Sequence, residues 1–109
     1  MTKESEIQKE IIGYLQARGF FAWNNHTKGY IGKGGVRAKN PRKGSPDIEA
    51  VKNGVFYGIE VKDPKRGVVS PEQKAWLRKL KEHGAIPIIT TGLEDLIRQI
   101  EDLKNKGDY

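Results

Sequence analysis

The sequence contains no cysteine, only two histidines and no long apolar run. The absence of cysteine excludes disulfides, thiolate metal ligands and a cysteine nucleophile. Two histidines cannot build a histidine-rich zinc site, so any catalytic metal ion would be held mostly by oxygen atoms. No stretch of about 18 apolar residues is present, and the first residues mix charges with isolated isoleucines instead of forming a secretory leader. We therefore expect a soluble, cytoplasmic protein.

Positive charge is concentrated in one part of the chain. The 109 residues, 36% of them apolar, suffice for one modest core, so we predict one domain over residues 1–109, and the net charge is +6. A glycine-containing segment without acidic residues holds six cations: Lys28, Lys33, Arg37, Lys39, Arg42 and Lys43. Several cations on one loop can follow a nucleic-acid backbone by displacing its counterions. We interpret this basic segment as a nucleic-acid-binding arm; a solvated linker is the alternative.

Hydrophobic spacing predicts an α/β protein with the element order αβββαβα. Apolar residues at helical spacing predict a first helix from Glu4 to Arg18, which Gly19 ends. Phe20–Asn24 is predicted to be a strand, and two further strands flank the turn signal Asn53-Gly54. The first half of the chain is thus predicted to be one helix followed by three strands.

The second half of the chain is predicted to contain two helices around one strand. The segment Ser70-Pro-Glu-Gln73 combines an N-cap serine, a proline at the first helical position and a glutamine that can complete a capping box. It predicts the start of a helix that ends at Gly84. Residues 85–90 form a predicted strand in which Pro87 favours an edge position or an irregularity. Apolar residues from Leu93 to Leu103 predict the last helix, whose apolar stripe is either ordinary core or a subunit interface.

The predicted hairpin brings two acidic residues together. A two-residue type I′ loop at Asn53-Gly54 places Asp47 directly opposite Glu60, with Lys62 on the same face as Glu60. Directly opposed carboxylates have Cβ atoms ~4.5–5.5 Å apart and destabilise a strand pair. A positive charge is therefore needed to offset the repulsion.

The first helix supplies a third acidic side chain. At about 100° per residue, Glu4 falls on the apolar face of this helix, whereas Glu6 and Glu10 fall well outside it. We predict that Glu4 points inward, toward the two opposed acids. The alternative is a frayed helix start that leaves Glu4 in solvent.

Three acids and Lys62 together carry a charge of −2, which one Mg²⁺ or Mn²⁺ ion would neutralise. Hard divalent cations prefer carboxylate, carbonyl and water oxygens. Such an ion can polarise a phosphoryl group and activate a water molecule, which suits phosphodiester hydrolysis. Lys62 would have an electrostatic and orienting role, because neighbouring carboxylates favour the charged form of an amine. The alternative is a cross-strand ion network on the surface.

Pro46-Asp47 followed by Glu60-Val61-Lys62 resembles the signature of the PD-(D/E)XK nuclease superfamily. The sequence resembles the VRR-NUC branch of that superfamily more closely, through four segments: Glu4–Gln8, Gly44–Asp47, Gly58–Lys62 and Ser70–Gln73. The resemblance extends from Glu4 to about Thr91 and so covers most of the chain.

This resemblance implies a restriction-endonuclease-like α/β fold, with a central mixed four-stranded sheet flanked by helices, and a Mg²⁺- or Mn²⁺-dependent DNA nuclease. Asp47 and Glu60 would bind the metal ion together with the Val61 carbonyl, and Lys62 would be the catalytic lysine. The resemblance also adds two residues to the catalytic set: Glu4 as the acid of the first helix, and Gln73. For Gln73 this role is compatible with capping the second helix.

Small stand-alone members of the branch resemble Holliday-junction resolvases. This implies an endonuclease for structured or branched DNA that acts as a homodimer, so that two sites make paired cuts in a four-way junction. A flap nuclease, an exonuclease or a restriction-type nuclease of the same fold is the alternative within enzymes. A catalytically inert DNA-binding module is the alternative outside them.

Overall fold

The computed structural model describes residues 3–25, 43–65 and 67–107. Within these ranges the elements follow the predicted order αβββαβα, and their ends differ from the predicted ends by one or two residues. The helices are α1 (Lys3–Ala17), α2 (Pro71–Glu82) and α3 (Leu93–Asn105). The strands are β1 (Phe21–Asn24), β2 (Ile48–Lys52), β3 (Val55–Val61) and β4 (Ile86–Thr90).

The four strands form one mixed sheet in the order β1-β2-β3-β4. β1, β2 and β3 are successively antiparallel, whereas β3 and β4 are parallel, so α2 serves as the crossover between them. Among the described strands β4 lies at the edge of the sheet, the first of the two possibilities that Pro87 indicated, because proline has no N–H to donate to a further strand. The predicted α/β fold with a mixed four-stranded sheet is therefore confirmed.

The β2–β3 hairpin has the predicted turn and register. Asn53 and Gly54 both have positive φ, 52° and 79°, as a type I′ turn requires. Ala50 pairs with Tyr57 and Ile48 with Ile59. This register places Asp47, just before β2, beside the end of β3.

One face of the sheet carries the hydrophobic core. The hairpin residues on this face are almost completely buried: Ile48, Ala50, Tyr57, Ile59 and Val61. They pack with residues of the first and last helices, among them Ile11, Leu15, Leu96 and Ile100. Each fully buried Leu or Ile stabilises the fold by roughly 1.5–3 kcal/mol. The apolar stripe of α3 is thus core, the first of its two predicted roles.

The other face of the sheet is covered by α2 and by the segment just before β2. A Cβ atom built on Gly58 would lie 2.5 Å from Leu80 Cδ1 and 2.8 Å from Pro46 Cγ. Leu80 and Pro46 therefore pack directly on the sheet at the one residue of this strand that has no side chain. This contact fixes α2 and the residues around Pro46 above the second half of β3.

The start of α2 is held by the predicted capping box. The Ser70 Oγ accepts a hydrogen bond from the Gln73 backbone N–H at 3.1 Å, and Gln73 Oε1 accepts one from the Ser70 N–H at 2.9 Å. Pro71 occupies the first helical position. Loss of such a cap typically costs about 1 kcal/mol. Among the described helices, none has both the length and the apolar character needed to cross a membrane.

Candidate active site

Asp47 and Glu60 meet at the end of the β2–β3 hairpin, as the predicted register requires. Asp47 Oδ2 accepts a hydrogen bond from the Val61 backbone N–H at 2.9 Å, where β2 has ended and offers no strand partner. Glu60 is 1% exposed. The two carboxyl groups are close enough for the charge of Asp47 and a hydrogen bond with it to change the pKa of Glu60.

Burial, the largest cause, and the charge of Asp47 together raise the pKa of Glu60 to about 8. Lys62 opposes this shift, and Glu4 adds a weaker contribution in favour of it. Glu60 Oε2 accepts a hydrogen bond from Gln73 Nε2 at 3.0 Å. Its other oxygen, Oε1, is buried, and no donor in the described part of the chain reaches it. A proton shared with Asp47, or a cation, is needed to satisfy this oxygen.

Gln73 connects the start of α2 to the acidic pair. Its backbone N–H and its Oε1 complete the capping box with Ser70, while its Nε2 donates to Glu60. One side chain therefore caps α2 and contacts Glu60, so the capping contact does not prevent Gln73 from reaching the acidic pair. Because the amide group is anchored at both ends, Glu60 is held in one orientation.

Glu4 and Lys62 line a cleft of about 200 Å³ together with Val61 and Thr91. Glu4 is exposed, although it faces this cleft, and its influence on Glu60 is the smallest of those named above. Within residues 3–25, 43–65 and 67–107, no three acidic or histidine side chains come close enough to hold one ion together. The structure thus brings Asp47 and Glu60 together as a pair and leaves Glu4 on the cleft wall, so the three acids do not converge on one point.

The donor set at the hairpin end fits a hard divalent cation. It offers two carboxylates, one of which has a buried oxygen without a donor. The N–H and C=O of a strand residue point to the same neighbouring strand, so the Val61 carbonyl lies on the side where Asp47 accepts the Val61 N–H. Mg²⁺ commonly takes one or two protein carboxylates and completes its shell with water and phosphate oxygens, so a third acid is not required.

A buried asparagine that the sequence analysis did not single out holds the segment before Asp47. Asn25 Nδ2 donates to Ser45 Oγ at 3.0 Å and to the Pro46 carbonyl at 2.9 Å, and its backbone N–H donates to the Asp47 carbonyl at 2.8 Å. The partners are about 20 residues away along the chain, and no periodic pattern marks such a contact. Asn25 therefore positions the Pro46-Asp47 motif from the neighbouring strand.

Glu49 lies on the same face of the sheet as Asp47 but does not join the pair. Its Oε1 accepts a hydrogen bond from Trp23 Nε1 at 3.1 Å, across the β1–β2 pairing. This acid is therefore satisfied by a structural contact, although it is only two residues from Asp47.

Of the predicted nucleic-acid-binding residues, the structure describes Lys43 alone. Five others lie outside the described residues: Lys28, Lys33, Arg37, Lys39 and Arg42. Lys43 is exposed, with its Nζ 3.8 Å from a Glu72 carboxylate oxygen. Its backbone carbonyl accepts a hydrogen bond from Trp76 Nε1 at 2.9 Å. Lys43 thus lies beside the first turns of α2, the helix that also carries Gln73.

Comparison with known proteins gives a consistent result. Two solved structures resemble this fold, one described as a VRR_NUC domain and one as a VRR_NUC domain protein. The first has a TM-score of 0.69 at 22% sequence identity and covers 93% of this chain and 97% of its own; the second has 0.64 at 16%, covering 94% and 88%. At these identities the likeness shows the fold alone. No curated protein matches the sequence. The family model of the VRR-NUC domain matches residues 3–92, which include both carboxylates, Lys62 and Gln73, so the chain belongs to this family of nuclease domains.

Proposed function

We propose that this protein is a Mg²⁺- or Mn²⁺-dependent DNA endonuclease that hydrolyses phosphodiester bonds in structured or branched DNA. The observation that carries the proposal is a buried Glu60 oxygen that no donor among the described residues reaches and that lies beside a second carboxylate. A buried carboxylate with a purely structural role usually accepts hydrogen bonds at both oxygens. A carboxylate that binds a cation during the reaction needs an oxygen that remains available to the ion.

Each residue around the acidic pair would have a separate role in the reaction. Asp47, Glu60 and the Val61 carbonyl would hold the ion, which supplies polarisation of the phosphoryl group and activation of water. Gln73 fixes the orientation of Glu60 through its Nε2. Lys62, on the cleft wall next to the pair, orients the attacking water or stabilises the charge that develops on the phosphoryl oxygens. Glu4, which lines the same cleft, would complete the catalytic set.

The preferred DNA is proposed to be branched, as in a four-way junction. Two copies of the chain would place two such sites on one junction and allow paired cuts, so a homodimer is part of the proposal. The net charge of +6 supports a polyanionic partner. A flap, exonuclease or restriction-type activity at the same site would differ in the DNA ends and branches that it requires.

The experiment is a strand-nicking assay with four labelled substrates of shared sequence: a four-way junction, a flap, a linear duplex and a single strand. All are compared at one salt concentration, because phosphate contacts make affinity strongly dependent on salt. Cutting of the junction is expected with Mg²⁺ or Mn²⁺ and not with EDTA. Retention of DNA without cut strands would instead identify an inert binding module.

Two variants test the site assignment. Asp47→Asn and Lys62→Ala are each expected to lower the cutting rate by roughly 10²–10⁴-fold, the usual contribution of a positioned catalytic group, while DNA is still bound. Glu49→Gln is the matched control, because it removes an acid on the same face and keeps an oxygen for Trp23. Cutting at near the wild-type rate by either site variant would refute the assignment.

A further inference from the structure

We infer that Lys65 is a phosphate-binding residue of the cleft and contacts a DNA phosphate next to the one that is cut. The inference rests on the proposed function for its substrate and adds a residue outside the PD-(D/E)XK motif. Lys65 lines the same cleft as Glu4 and Lys62. Its side chain is exposed, and no acidic side chain in the described ranges forms a salt bridge with it.

The charge around the cleft calls for a further cation. Glu4 lines the cleft, and the Asp47–Glu60 pair adjoins it, so three carboxyl groups lie near the position proposed for a substrate phosphate. With all three ionised, Lys62 and one divalent ion would bring the summed charge of these groups to zero. A DNA phosphate would then find no net attraction from them. Lys65 is the second basic residue among those described that line the cleft, and its charge would make the sum positive.

The backbone around Lys65 forms a turn that two hydrogen bonds hold. Asp63 Oδ1 accepts a hydrogen bond from the Lys65 N–H at 2.8 Å, and the Asp63 carbonyl accepts one from the Gly67 N–H at 2.8 Å. An aspartate that bonds the backbone two residues on is a common way to hold such a turn. Neither bond uses the side chain of Lys65, so replacing that side chain leaves the turn intact.

The turn also packs against the catalytic lysine. A Cβ atom built on Gly67 would lie 2.7 Å from Lys62 Cβ and 2.6 Å from the Asp63 carbonyl oxygen. Only a residue without a side chain allows this approach. Lys62 is fixed in turn by its own N–H, which donates to the Thr90 carbonyl of β4 at 2.9 Å. The fold therefore fixes the backbone of Lys62 and of the adjoining turn, from which the side chains of both lysines extend.

The test measures DNA binding separately from cutting. Lys65→Ala, Lys65→Arg and Lys104→Ala are each placed in the Asp47→Asn background, and binding to labelled junction and duplex DNA is measured at several salt concentrations. Lys104 is the matched control: it is an exposed lysine near the end of α3, whose neighbour Leu103 lines a cavity with Val55 at the opposite end of β3.

Lys65→Ala is expected to weaken binding about tenfold, as for one charge-assisted phosphate contact, and to reduce the salt slope by about one. Lys65→Arg should restore most of the affinity, and Lys104→Ala should change it less than twofold. Unchanged affinity and slope in Lys65→Ala would overturn the inference, as would equal weakening by Lys104→Ala or no rescue by arginine.

The two proposals fail in different ways. If the wild-type protein binds DNA but never cuts it, the nuclease proposal is lost, while the binding comparison still decides the role of Lys65. If Lys62→Ala abolishes cutting and Lys65→Ala leaves binding unchanged, the nuclease proposal stands and the inference about Lys65 is wrong.

Discussion

Glu60 near the end of β3 and Asp95 beside the end of β4 differ in the hydrogen bonds that they accept and in the direction of their pKa shifts. Asp95, in the first turn of α3, accepts hydrogen bonds from Thr90 Oγ1 and Gln99 Nε2, each at 2.8 Å, and one from Arg98. Burial alone would raise the pKa of Asp95, but these donors lower it on balance. In the described part of the chain Glu60 accepts a hydrogen bond from Gln73 alone, and the charge that changes its pKa most is that of another carboxylate, Asp47.

This comparison separates an acid that stabilises the fold from one that we propose binds a metal ion. Asp95 fastens α3 to the end of β4, and its charge is fully compensated within the fold. Glu60 is more deeply buried, and Gln73 and Lys62 offset only part of the cost of its charged form, so its pKa is raised. A buried group that is costly in the folded protein alone is a strong candidate for a partner that arrives later.

The most direct test of this difference replaces each acid with its neutral amide. Glu60→Gln is expected to lower the cutting rate by roughly 10²–10⁴-fold and to leave the fold as stable or more so, because a glutamine amide can accept from Gln73 and donate to Asp47. Asp95→Asn is expected to do the reverse, with a loss of about 1–3 kcal/mol in unfolding free energy and a cutting rate close to wild type.

Single-turnover cutting rates and urea unfolding of both variants measure these effects. The comparison would be wrong if Asp95→Asn removed the activity, or if Glu60→Gln unfolded the protein while Asp95→Asn did not.

A smaller effect is expected in the pH dependence of stability. The pKa of Glu60 is about 8 in the folded protein against an ordinary value of 4.5. Between these two pH values the folded state holds a proton that the unfolded chain has released. Metal-free protein should therefore be most stable at the acidic end of this window and lose up to about 1.4 kcal/mol per pH unit as the pH rises toward 8.

Thermal unfolding in EDTA at pH 5 and pH 8 measures this loss. Glu60→Gln should flatten the profile, whereas Asp95→Asn should keep it, because the lowered pKa of Asp95 places its titration below the window. Added Mn²⁺ should restore stability at pH 8 in the wild type. A profile equally steep in Glu60→Gln would assign the pH dependence to other groups.

The smallest expected effect distinguishes the two roles of Gln73. Ser70→Ala removes the cap alone and should cost about 1 kcal/mol with cutting nearly unchanged. Gln73→Ala should lower the unfolding free energy by a similar amount. It should also lower the cutting rate about tenfold, because Glu60 loses the hydrogen bond from Gln73. Equal cutting rates in the two variants would show that Gln73 acts only as a cap.

The local parts of this molecule could be predicted from sequence. The turn at Asn53-Gly54 fixes the hairpin register, and the register alone brings Asp47 to Glu60. The capping signature fixes the start of α2 and hence the position of Gln73. Each of these steps depends on residues close together in the chain, where backbone conformation is set by a few side chains.

The features that escaped prediction depend on contacts between distant segments. Helical periodicity predicted that Glu4 points inward toward the pair, whereas Glu4 is exposed on the cleft wall, because its position depends on how α1 docks on the sheet. The hold of Asn25 on Ser45 and Pro46 leaves no pattern in either segment. The burial of Glu60 follows from the docking of α2, and the sequence around Glu60 does not reveal it.

The bare position in the middle of β3 has a consequence for how this site can vary. At Gly58 a single methyl group would collide with Leu80 and Pro46. Relieving that collision would tilt the helix that carries Gln73 and shift the segment that carries Asp47, both at once. The geometry of the acidic pair thus depends on the absence of a side chain at Gly58, two residues before Glu60 on the same strand. A variant with a side chain there would need compensating changes at Leu80 and Pro46 to keep that geometry.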